Sequence, residues 1–249
     1  GIAGQTALAI SATRLYQQSV QQQRFEHEMR LARDIQASFL PERCPSPPGW
    51  QIAVDWRAAR SVGGDYYDLI EFGDGTLGVS IADVSDKGVP AALYMALSRS
   101  VLRAAALDSR SPAETLQRAN QVLMQDTRSG MFITSIYAII ELETGSVRYV
   151  RAGHNPALYV TQDGNVTLLE PVGIALGIVT DPMLVEETFT LEPGDMLVMY
   201  TDGVTEAWNE IDDEFGMDRL IEVVAGAAGA QAEDVIERIH NAVQDFVGE

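Results

Sequence analysis

The first forty residues carry a narrow stripe of hydrophobic side chains on an otherwise polar segment. Residues 5 to about 40 contain no proline and consist of residues that favour or tolerate a helix, so we predict one long helix that ends at the following proline. Phe25, Met29, Ile35 and Phe39 recur near helical spacing within it. Such a stripe is typical of a helix that packs on a partner helix, and we expect parallel homodimerisation through this segment. The alternative is a helix that lies on its own domain.

Beyond this segment and a proline-rich connector at 41–50, short hydrophobic runs alternate with turn residues. The predicted strands, several joined as hairpins by Gly-containing turn pairs, are 51–56, 66–72, 76–82, 132–141, 146–151, 157–161, 166–169, 184–190 and 196–201. Helical periodicity predicts helices over 89–107, 111–126 and 231–247. Because the helices are grouped between blocks of strands, the pattern indicates an α+β fold with antiparallel sheets and helices packed outside them.

Composition narrows the classes of function. The 249 residues are 46% hydrophobic, which allows a substantial core and argues against disorder. The formal net charge of −19 repels phosphate backbones and anionic lipids, so we predict no nucleic-acid or membrane partner, whereas divalent cations are attracted. The single cysteine, Cys44, excludes an intramolecular disulfide and fits a reducing cytoplasm. The sequence contains no run long enough to span a membrane and no signal-peptide pattern.

Three aspartates stand where hydrophobic or glycine-rich segments end. LGVSIADVSDKG leads into Asp83, LVMYTDGVTEA leads into Asp202, and two glycines precede Asp65 in VGGDYYD. Three carboxylates in one cleft would repel each other unless protonated or neutralised by cations, and Mg²⁺ or Mn²⁺ prefer such oxygen ligands. Aspartate beside glycine is also ordinary turn chemistry, to which we assign Asp74 and Asp163. The pattern alone leaves both interpretations open for the other three.

Several longer motifs carry a resemblance to a known family. VGGDYYD, ADVSDKGVPAALYMA, MFITSIYAIIELETG, RYVRAGHNPAL and YTDGVTEAWN, with DEFG downstream, occur in order over about residues 30–248. They resemble the PPM-type (type 2C) metal-dependent serine/threonine phosphatases, and more closely the bacterial SpoIIE/RsbU group. LARDIQASFLP is similar to the lead-in helix of that group, and TALAISATRLY is similar to the last helix of a GAF sensory domain. The resemblance implies a sensor-tail and linker helix at 1–40, the connector at 41–50, and a phosphatase domain at 51–249.

The resemblance also implies a fold and a site. It predicts a sandwich of two antiparallel β-sheets flanked by helices, with two Mn²⁺ or Mg²⁺ ions at one edge. By position, Asp83 would bridge both ions, the carbonyl of Val84 would ligate one, Asp65 would serve the first ion and Asp202 would hold the other. These three aspartates are the expected catalytic residues, because the two ions activate a water that attacks a phosphoserine or phosphothreonine in line. The expected substrate is a STAS-type anti-sigma-factor antagonist in a bacterial cytoplasm.

The sequence departs from the family pattern in two places. The group has a further aspartate that opens a last strand after the C-terminal helix, and here the sequence stops at Glu249. We expect that ligand and strand to be absent, with weaker metal binding at one position and an exposed sheet edge. Animal-type relatives use a histidine near the leaving group, and none of His27, His154 and His240 matches it. We assign His154, in AGHNP, to a structural turn.

Two arginines and one predicted helix lie next to the expected metal ligands in the sequence and have candidate roles in substrate binding and regulation. Arg57 and Arg60 lie just before VGGD, and we favour Arg60 for a contact with the substrate phosphate, the alternative being a solvated arginine. The helix predicted over 89–107 directly follows the ligand pair, so its movement would couple the sensor to metal occupancy. Its predicted hydrophobic face consists of Leu93, Leu97, Val101 and Ala105.

Two other functions compete with a regulated phosphatase. One is a catalytically idle dimeric signalling scaffold with a phosphatase fold, against which the retention of three costly like charges speaks. The other is a metal-dependent nuclease, which conflicts with the net charge of −19.

Overall fold

The computed structural model describes residues 2–58, 62–126 and 130–248 of the chain. Its helices are α1 (Ile2–Phe39), α2 (Val89–Asp108), α3 (Pro112–Asp126), α4 (Asp202–Thr205), α5 (Gly216–Ala225) and α6 (Ala232–Val247). Its strands are β1 (Tyr66–Glu71), β2 (Thr76–Val84), β3 (Ile133–Glu141), β4 (Ser146–Ala152), β5 (Ala157–Val160), β6 (Val166–Leu169), β7 (Glu186–Thr190) and β8 (Met196–Val198). The predicted order of hairpins and grouped helices is therefore present in the described residues.

The strands form two antiparallel sheets. The larger has the order β1-β2-β3-β4-β7 and the smaller has the order β6-β5-β8. The hairpins β1–β2, β3–β4 and β5–β6 turn at Gly75, Gly145 and Gly164, each with φ between 72° and 83°. Glycine adopts this left-handed conformation without the steric penalty of a side chain, which is why the Asp-Gly and Thr-Gly pairs predicted these hairpins correctly. The α+β fold class with two antiparallel sheets is confirmed.

The alternation of side chains along the strands builds four layers. In β3, Tyr137 and Ile139 pack with α2 and α3, whereas Ile136 and Ala138 face the smaller sheet. In β5, Ala157 faces the larger sheet, and the neighbouring side chains pack with α5 and α6. Because successive side chains of a strand point to opposite faces, each sheet has one face against helices and one against the other sheet. The order of the layers is therefore helices, sheet, sheet, helices.

An ion-pair cluster ties β1 to α2 inside the first helix layer. Asp68 is 1% exposed and accepts hydrogen bonds from Arg99 at 2.8 Å and from Arg103 at 2.7 Å. A carboxylate this buried is tolerated only with such partners, so Asp68 has a structural role.

Helix α1 is long and touches the rest of the chain mainly through its last turns. It has 38 residues, and most positions from 14 to 35 are exposed, whereas Gln36 and Leu40 keep only 3% and 7% of their surface. Leu31, Ile35 and Phe39 lie at four-residue spacing and remain 49%, 59% and 38% exposed. Of the predicted stripe, Phe25 is also 56% exposed, whereas Met29 is half-buried, so three of its four residues are uncovered in a single chain. Within the described residues, no helix is both long enough and hydrophobic enough to cross a membrane.

Two predictions about secondary structure and packing are wrong. Residues 51–56 form no strand, and this segment is held by side-chain contacts, such as the indole of Trp56 on the carbonyl of Asp65. On α2, Leu93 and Leu97 are 69% and 39% exposed. Hydrophobic residues occur on most sides of α2, so the helical periodicity of the sequence indicated a face of α2 that is largely exposed in the structure. The buried face consists of Ala91, Tyr94, Met95, Ser98, Leu102 and Ala106.

Candidate active site

Strand β2 carries Asp83 to one end of the larger sheet. Asp83 is half-buried and pairs with Thr134 of β3, one residue before the strand ends. The chain then turns sharply at Asp86, with φ 86°, and at Gly88, with φ 79°, and enters α2. A left-handed backbone is unfavourable for a non-glycine residue. The Asp86 carboxylate offsets part of this cost by accepting a hydrogen bond from the amide of Lys87 at 2.8 Å.

The loop before β1 places Asp65 against the end of β2. A Cβ atom on Gly64 would lie 2.7 Å from the carbonyl oxygen of Val84 and 3.1 Å from Oδ1 of Asp83. Side chains do not approach so closely, so only glycine lets this loop reach the end of β2. The indole of Trp56 holds the same loop by donating to the carbonyl of Asp65 at 2.9 Å. The backbone carbonyl predicted as a ligand therefore lies beside the first two carboxylates.

The third predicted carboxylate comes from the smaller sheet. Strand β8 ends at Val198, and Asp202 is the first residue of α4. The hydroxyl of Thr201 donates a hydrogen bond to Oδ2 of Asp65 at 3.0 Å. This bond joins the segment after β8 to the loop before β1. The charge of Asp202 consequently acts on both Asp65 and Asp83.

The carboxyl groups of Asp65 and Asp83 form a hydrogen-bonded pair. Burial raises the pKa of Asp83 to about 8, assisted by the hydrogen bond with Asp65 and by the charges of Asp65 and Asp202, and opposed by Lys87. Burial also raises the pKa of Asp65, although its hydrogen bonds with Asp83 and Thr201 act in the opposite direction. Two carboxylates in contact do not both ionise without a balancing cation. The pair therefore shares a proton near neutral pH.

The oxygen atoms at this site are the kind of ligand that a hard divalent cation prefers. Their side chains do not enclose a cation position. No group of three or more His, Cys, Asp or Glu side chains encloses a possible metal position in the part of the chain that the structure describes. A backbone oxygen adds to the side-chain donors, because the carbonyl oxygen of Val84 and Oδ1 of Asp83 lie 2.7 Å and 3.1 Å from the position that a Cβ atom on Gly64 would take. Carboxylates, one carbonyl and water are the ligands that Mg²⁺ and Mn²⁺ prefer. The shared proton marks the place where a cation would balance the charge.

A buried histidine connects the two sheets behind the carboxylates. His154 is 2% exposed, and its Nε2 lies 3.1 Å from the carbonyl oxygen of Tyr200. Because a carbonyl only accepts, Nε2 carries the proton, and Nδ1 accepts from the hydroxyl of Thr134 at 2.8 Å. Thr134 pairs with Asp83, and Tyr200 lies two residues before Asp202. Burial lowers the pKa of His154 to about 4, so the ring is neutral at pH 7. This position agrees with the predicted structural role.

Comparison of the sequence with models of known families identifies the family of the domain that contains this site. The family model described as Stage II sporulation protein E (SpoIIE) matches residues 73–249, well over half of the chain. The chain belongs to the SpoIIE family.

Two curated proteins are similar to this SpoIIE-family chain over most of its length. Protein IcfG of Synechocystis sp. is 33% identical over 241 residues, which cover 85% of this chain and 38% of IcfG. Phosphoserine phosphatase RsbU of Bacillus subtilis is 33% identical over 190 residues, which cover 76% of this chain and 56% of RsbU. The chain thus spans 38% to 56% of the length of these relatives.

Solved structures show the same fold. The SiaA-PP2C domain of Pseudomonas aeruginosa matches with a TM-score of 0.79 and 24% identity, covering 92% of both chains. RsbX in complex with magnesium matches with a TM-score of 0.57 and 17% identity, covering 79% of this chain and 85% of that one. Together with the family match, these structures confirm the predicted PP2C-type architecture. The SpoIIE-family region therefore has the fold of a PP2C-type phosphatase domain.

The remaining predicted residues of this SpoIIE-family chain have separate outcomes. Arg60 lies outside the described residues, so its contact with the phosphate stays a prediction. Arg57 is exposed and contacts Asp55 at 3.1 Å and Nε2 of His240 at 2.9 Å. Those partners, and not the acidic site, account for its described contacts. The aspartate at 74 caps its own turn by accepting from the amide of Thr76, as the turn assignment predicts.

Sequence reasoning missed the residues that support the carboxylates. Thr201, Thr134 and Gln36 each contact a segment that carries a predicted ligand. Their partners lie between 27 and 136 positions away in the sequence. The local signal is that Gln36, Thr134 and Thr201 lie inside the motifs LARDIQASFLP, MFITSIYAIIELETG and YTDGVTEAWN.

Proposed function

We propose that this chain hydrolyses phosphoserine or phosphothreonine on a protein substrate with the help of two divalent cations. The observation that carries the proposal is the convergence of Asp65 and Asp83 at the end of β2, where Gly64 and Thr201 hold them and the charge of Asp202 acts on both. Holding like charges together is unfavourable, and such a group of carboxylates is expected where the protein binds cations. The relative RsbU, named a phosphoserine phosphatase, supports the substrate class.

Asp65, Asp83, Asp202 and the carbonyl of Val84 are the residues that would hold the ions. Mn²⁺ or Mg²⁺ is the expected metal, and the magnesium complex of the fold relative RsbX supports this choice. When bound, such ions polarise the phosphoryl group and lower the pKa of water at the site.

The chain's own residues keep the acidic oxygens in place. The Thr201 hydroxyl orients Asp65 through Oδ2, and the missing side chain of Gly64 lets the loop reach Val84. His154 joins the ends of the two sheets without adding a charge. Asp65 and Asp83 would hold a cation, which would supply the positive charge that the two carboxylates lack.

The protein substrate and the regulation belong to the same proposal. We infer that the substrate is a phosphorylated STAS-type anti-sigma-factor antagonist, as the resemblance of the motifs to the SpoIIE/RsbU group implies. The exposed residues Leu31, Ile35 and Phe39 of α1 support a homodimer through this helix, because they form an uncovered stripe at four-residue spacing. An N-terminal sensor would act through α1. The single free cysteine, Cys44, fits a bacterial cytoplasm.

The test is Mn²⁺-dependent hydrolysis of p-nitrophenyl phosphate and of a phosphoserine peptide. We expect activity that a chelator removes and that Asp83→Asn abolishes. Asp74→Asn is the matched control, because Asp74 is exposed and caps a turn away from the site. Activity that is equal in both variants would contradict the proposal.

The idle scaffold is distinguished by the same preparations. A scaffold would remain a dimer and show no turnover with Mn²⁺, and the Asp83→Asn variant would behave like the unaltered chain in both assays. The three retained carboxylates favour the enzyme.

A further inference from the structure

We propose that Gln36 of α1 is a positioning residue that holds the Asp65 loop in register with the end of β2. The inference rests on the proposed function for its catalytic consequence, because Asp65 matters only if it is a ligand. The contact itself stands on geometry alone.

Gln36 is a buried polar side chain on a largely exposed helix. It retains 3% of its surface, while the next residue toward the N-terminus, Ile35, retains 59%. Its Nε2 donates to the carbonyl oxygen of Gly63, and its Oε1 accepts from the amide of Gly63 at 3.1 Å. The side-chain amide of Gln36 therefore bonds both the N–H and the C=O of Gly63, which lies 27 positions away in the sequence.

Gly63 is next to Gly64, the part of the loop that packs closely against the end of β2. Gly63 precedes Gly64, which lies against the carbonyl of Val84 and the carboxylate of Asp83, and Asp65 follows. Sliding the backbone at Gly63 therefore moves the Asp65 carboxylate relative to Asp83. The hydrogen bonds of Gln36 oppose that movement from the side of α1.

Only glutamine provides this contact at this reach. Glutamate has the same length but lacks the donor, methionine lacks both donor and acceptor, and asparagine is one methylene shorter. Gly63 is half-buried, so loss of both partners would be unfavourable and would let this part of the loop shift toward solvent.

The contact also makes the position of α1 a determinant of the site. Advancing a helix by one residue rotates a side chain by about 100° and moves it by about 1.5 Å. Either change removes the amide of Gln36 from Gly63. The geometry of Asp65 thus depends on the register of α1 against the phosphatase domain.

The experiment compares Gln36→Met with two controls. Gln22→Met removes an exposed glutamine of the same helix that bonds only to Glu26 within α1. Leu40→Ala destabilises the buried end of α1 without altering the amide contact. For each variant we would measure hydrogen exchange of a peptide covering 62–66 without metal, the unfolding temperature, and the Mn²⁺ concentration for half-maximal phosphatase activity.

We expect Gln36→Met to speed exchange over 62–66 at least fivefold and to raise the half-maximal Mn²⁺ concentration at least fivefold, with activity largely restored at saturating Mn²⁺. Gln36→Glu should fall between it and the unaltered chain. Leu40→Ala should lower the unfolding temperature without a matching change in Mn²⁺ requirement, and Gln22→Met should change neither.

The outcomes separate the two proposals. Unchanged exchange over 62–66 in Gln36→Met would overturn the positioning role and leave the proposed function standing. The positioning role would also be overturned if Leu40→Ala raised the Mn²⁺ requirement as much as Gln36→Met does while leaving exchange over 62–66 unchanged. An unaltered chain that neither binds Mn²⁺ nor hydrolyses phosphate would overturn the proposed function and the catalytic part of this inference, whatever the exchange shows.

Discussion

Protonation of His154 should destabilise the fold in a defined window of acidic pH. The ring is 2% exposed, and burial lowers its pKa to about 4 from an ordinary value of 6.5. In the unfolded chain the imidazole takes up a proton below about 6.5. The folded chain resists that proton, so the contribution of neutral His154 to stability is present above about pH 6.5 and is lost as the pH falls toward about 4.

The size of the effect follows from the difference in pKa. One pKa unit corresponds to about 1.4 kcal/mol, so the full shift amounts to about 3 kcal/mol of unfolding free energy. For a domain of this size, that corresponds to roughly 6–12 °C in unfolding temperature. Arg151, which donates to the carbonyl of His154 at 2.7 Å, disfavours the charged ring as well.

The assay is urea unfolding of the metal-free chain at several pH values between about 7.5 and 4.5. His154→Gln removes the titrating ring and keeps an amide that can hydrogen-bond. His27→Gln is the matched control, because His27 is exposed on α1. We expect the stability difference between the unaltered chain and His154→Gln to shrink by about 2–3 kcal/mol over this range, and the His27→Gln difference to stay flat.

Comparing two variants across pH isolates this ring from the other titrating groups. Asp83 titrates in the opposite sense, because its raised pKa makes the metal-free fold lose stability as the pH rises through about 8. That contribution is present in all three proteins and runs opposite to the loss on the acid side that is expected from His154. A difference between the unaltered chain and His154→Gln that is independent of pH, or that widens toward acid, would refute the reasoning.

Three further predictions concern glycine, charge and the exposed helix. Gly64→Ala should abolish Mn²⁺-dependent hydrolysis of p-nitrophenyl phosphate, because its Cβ would lie 2.7 Å from a carbonyl oxygen of β2, whereas Gly63→Ala, with nothing nearer than 3.7 Å, should keep activity. Asp68→Asn should lower the unfolding free energy in urea titrations by about 3 kcal/mol, since it removes the charge that balances two arginines; a loss below about 1 kcal/mol would contradict this. Replacing Leu31 and Ile35 by serine should convert the expected dimer to a monomer in sedimentation velocity, and unchanged mass would remove α1 as the interface.

The strands and their turns were predictable because their causes are local. Hydrophobic runs ending in Asp-Gly or Thr-Gly define hairpins, and the glycines at 75, 145 and 164 adopt the left-handed conformation that these turns need. The placement of Asp65, Asp83 and Asp202 near one another was predictable only from the resemblance. Spacing alone could not distinguish these residues from Asp74, which caps a turn.

The errors arise where packing decides among locally equivalent choices. Helix α2 has hydrophobic residues on nearly every side, so the sheet, and not the periodicity, determines that Tyr94 is inside and Leu93 outside. Residues 51–56 have the composition of a strand and find no strand partner in the described structure. The 10-residue helix α5 also escaped prediction. A strand forms only where its backbone groups can pair with a neighbour.

The supports around the acidic site share one property that sequence patterns do not reveal: they carry no charge. The amide of Gln36 holds the Asp65 loop, the hydroxyl of Thr201 holds the Asp65 carboxylate, and the neutral ring of His154 joins the two sheets. A fixed cation in any of these places would balance the carboxylates permanently and weaken their attraction for Mn²⁺ or Mg²⁺. A fixed anion would raise the cost of the metal-free fold further. The buried charge of Asp68 shows the opposite solution, since two permanent arginine partners balance it through Oδ1. Neutral supports therefore let the site stay rigid while its positive charge remains replaceable.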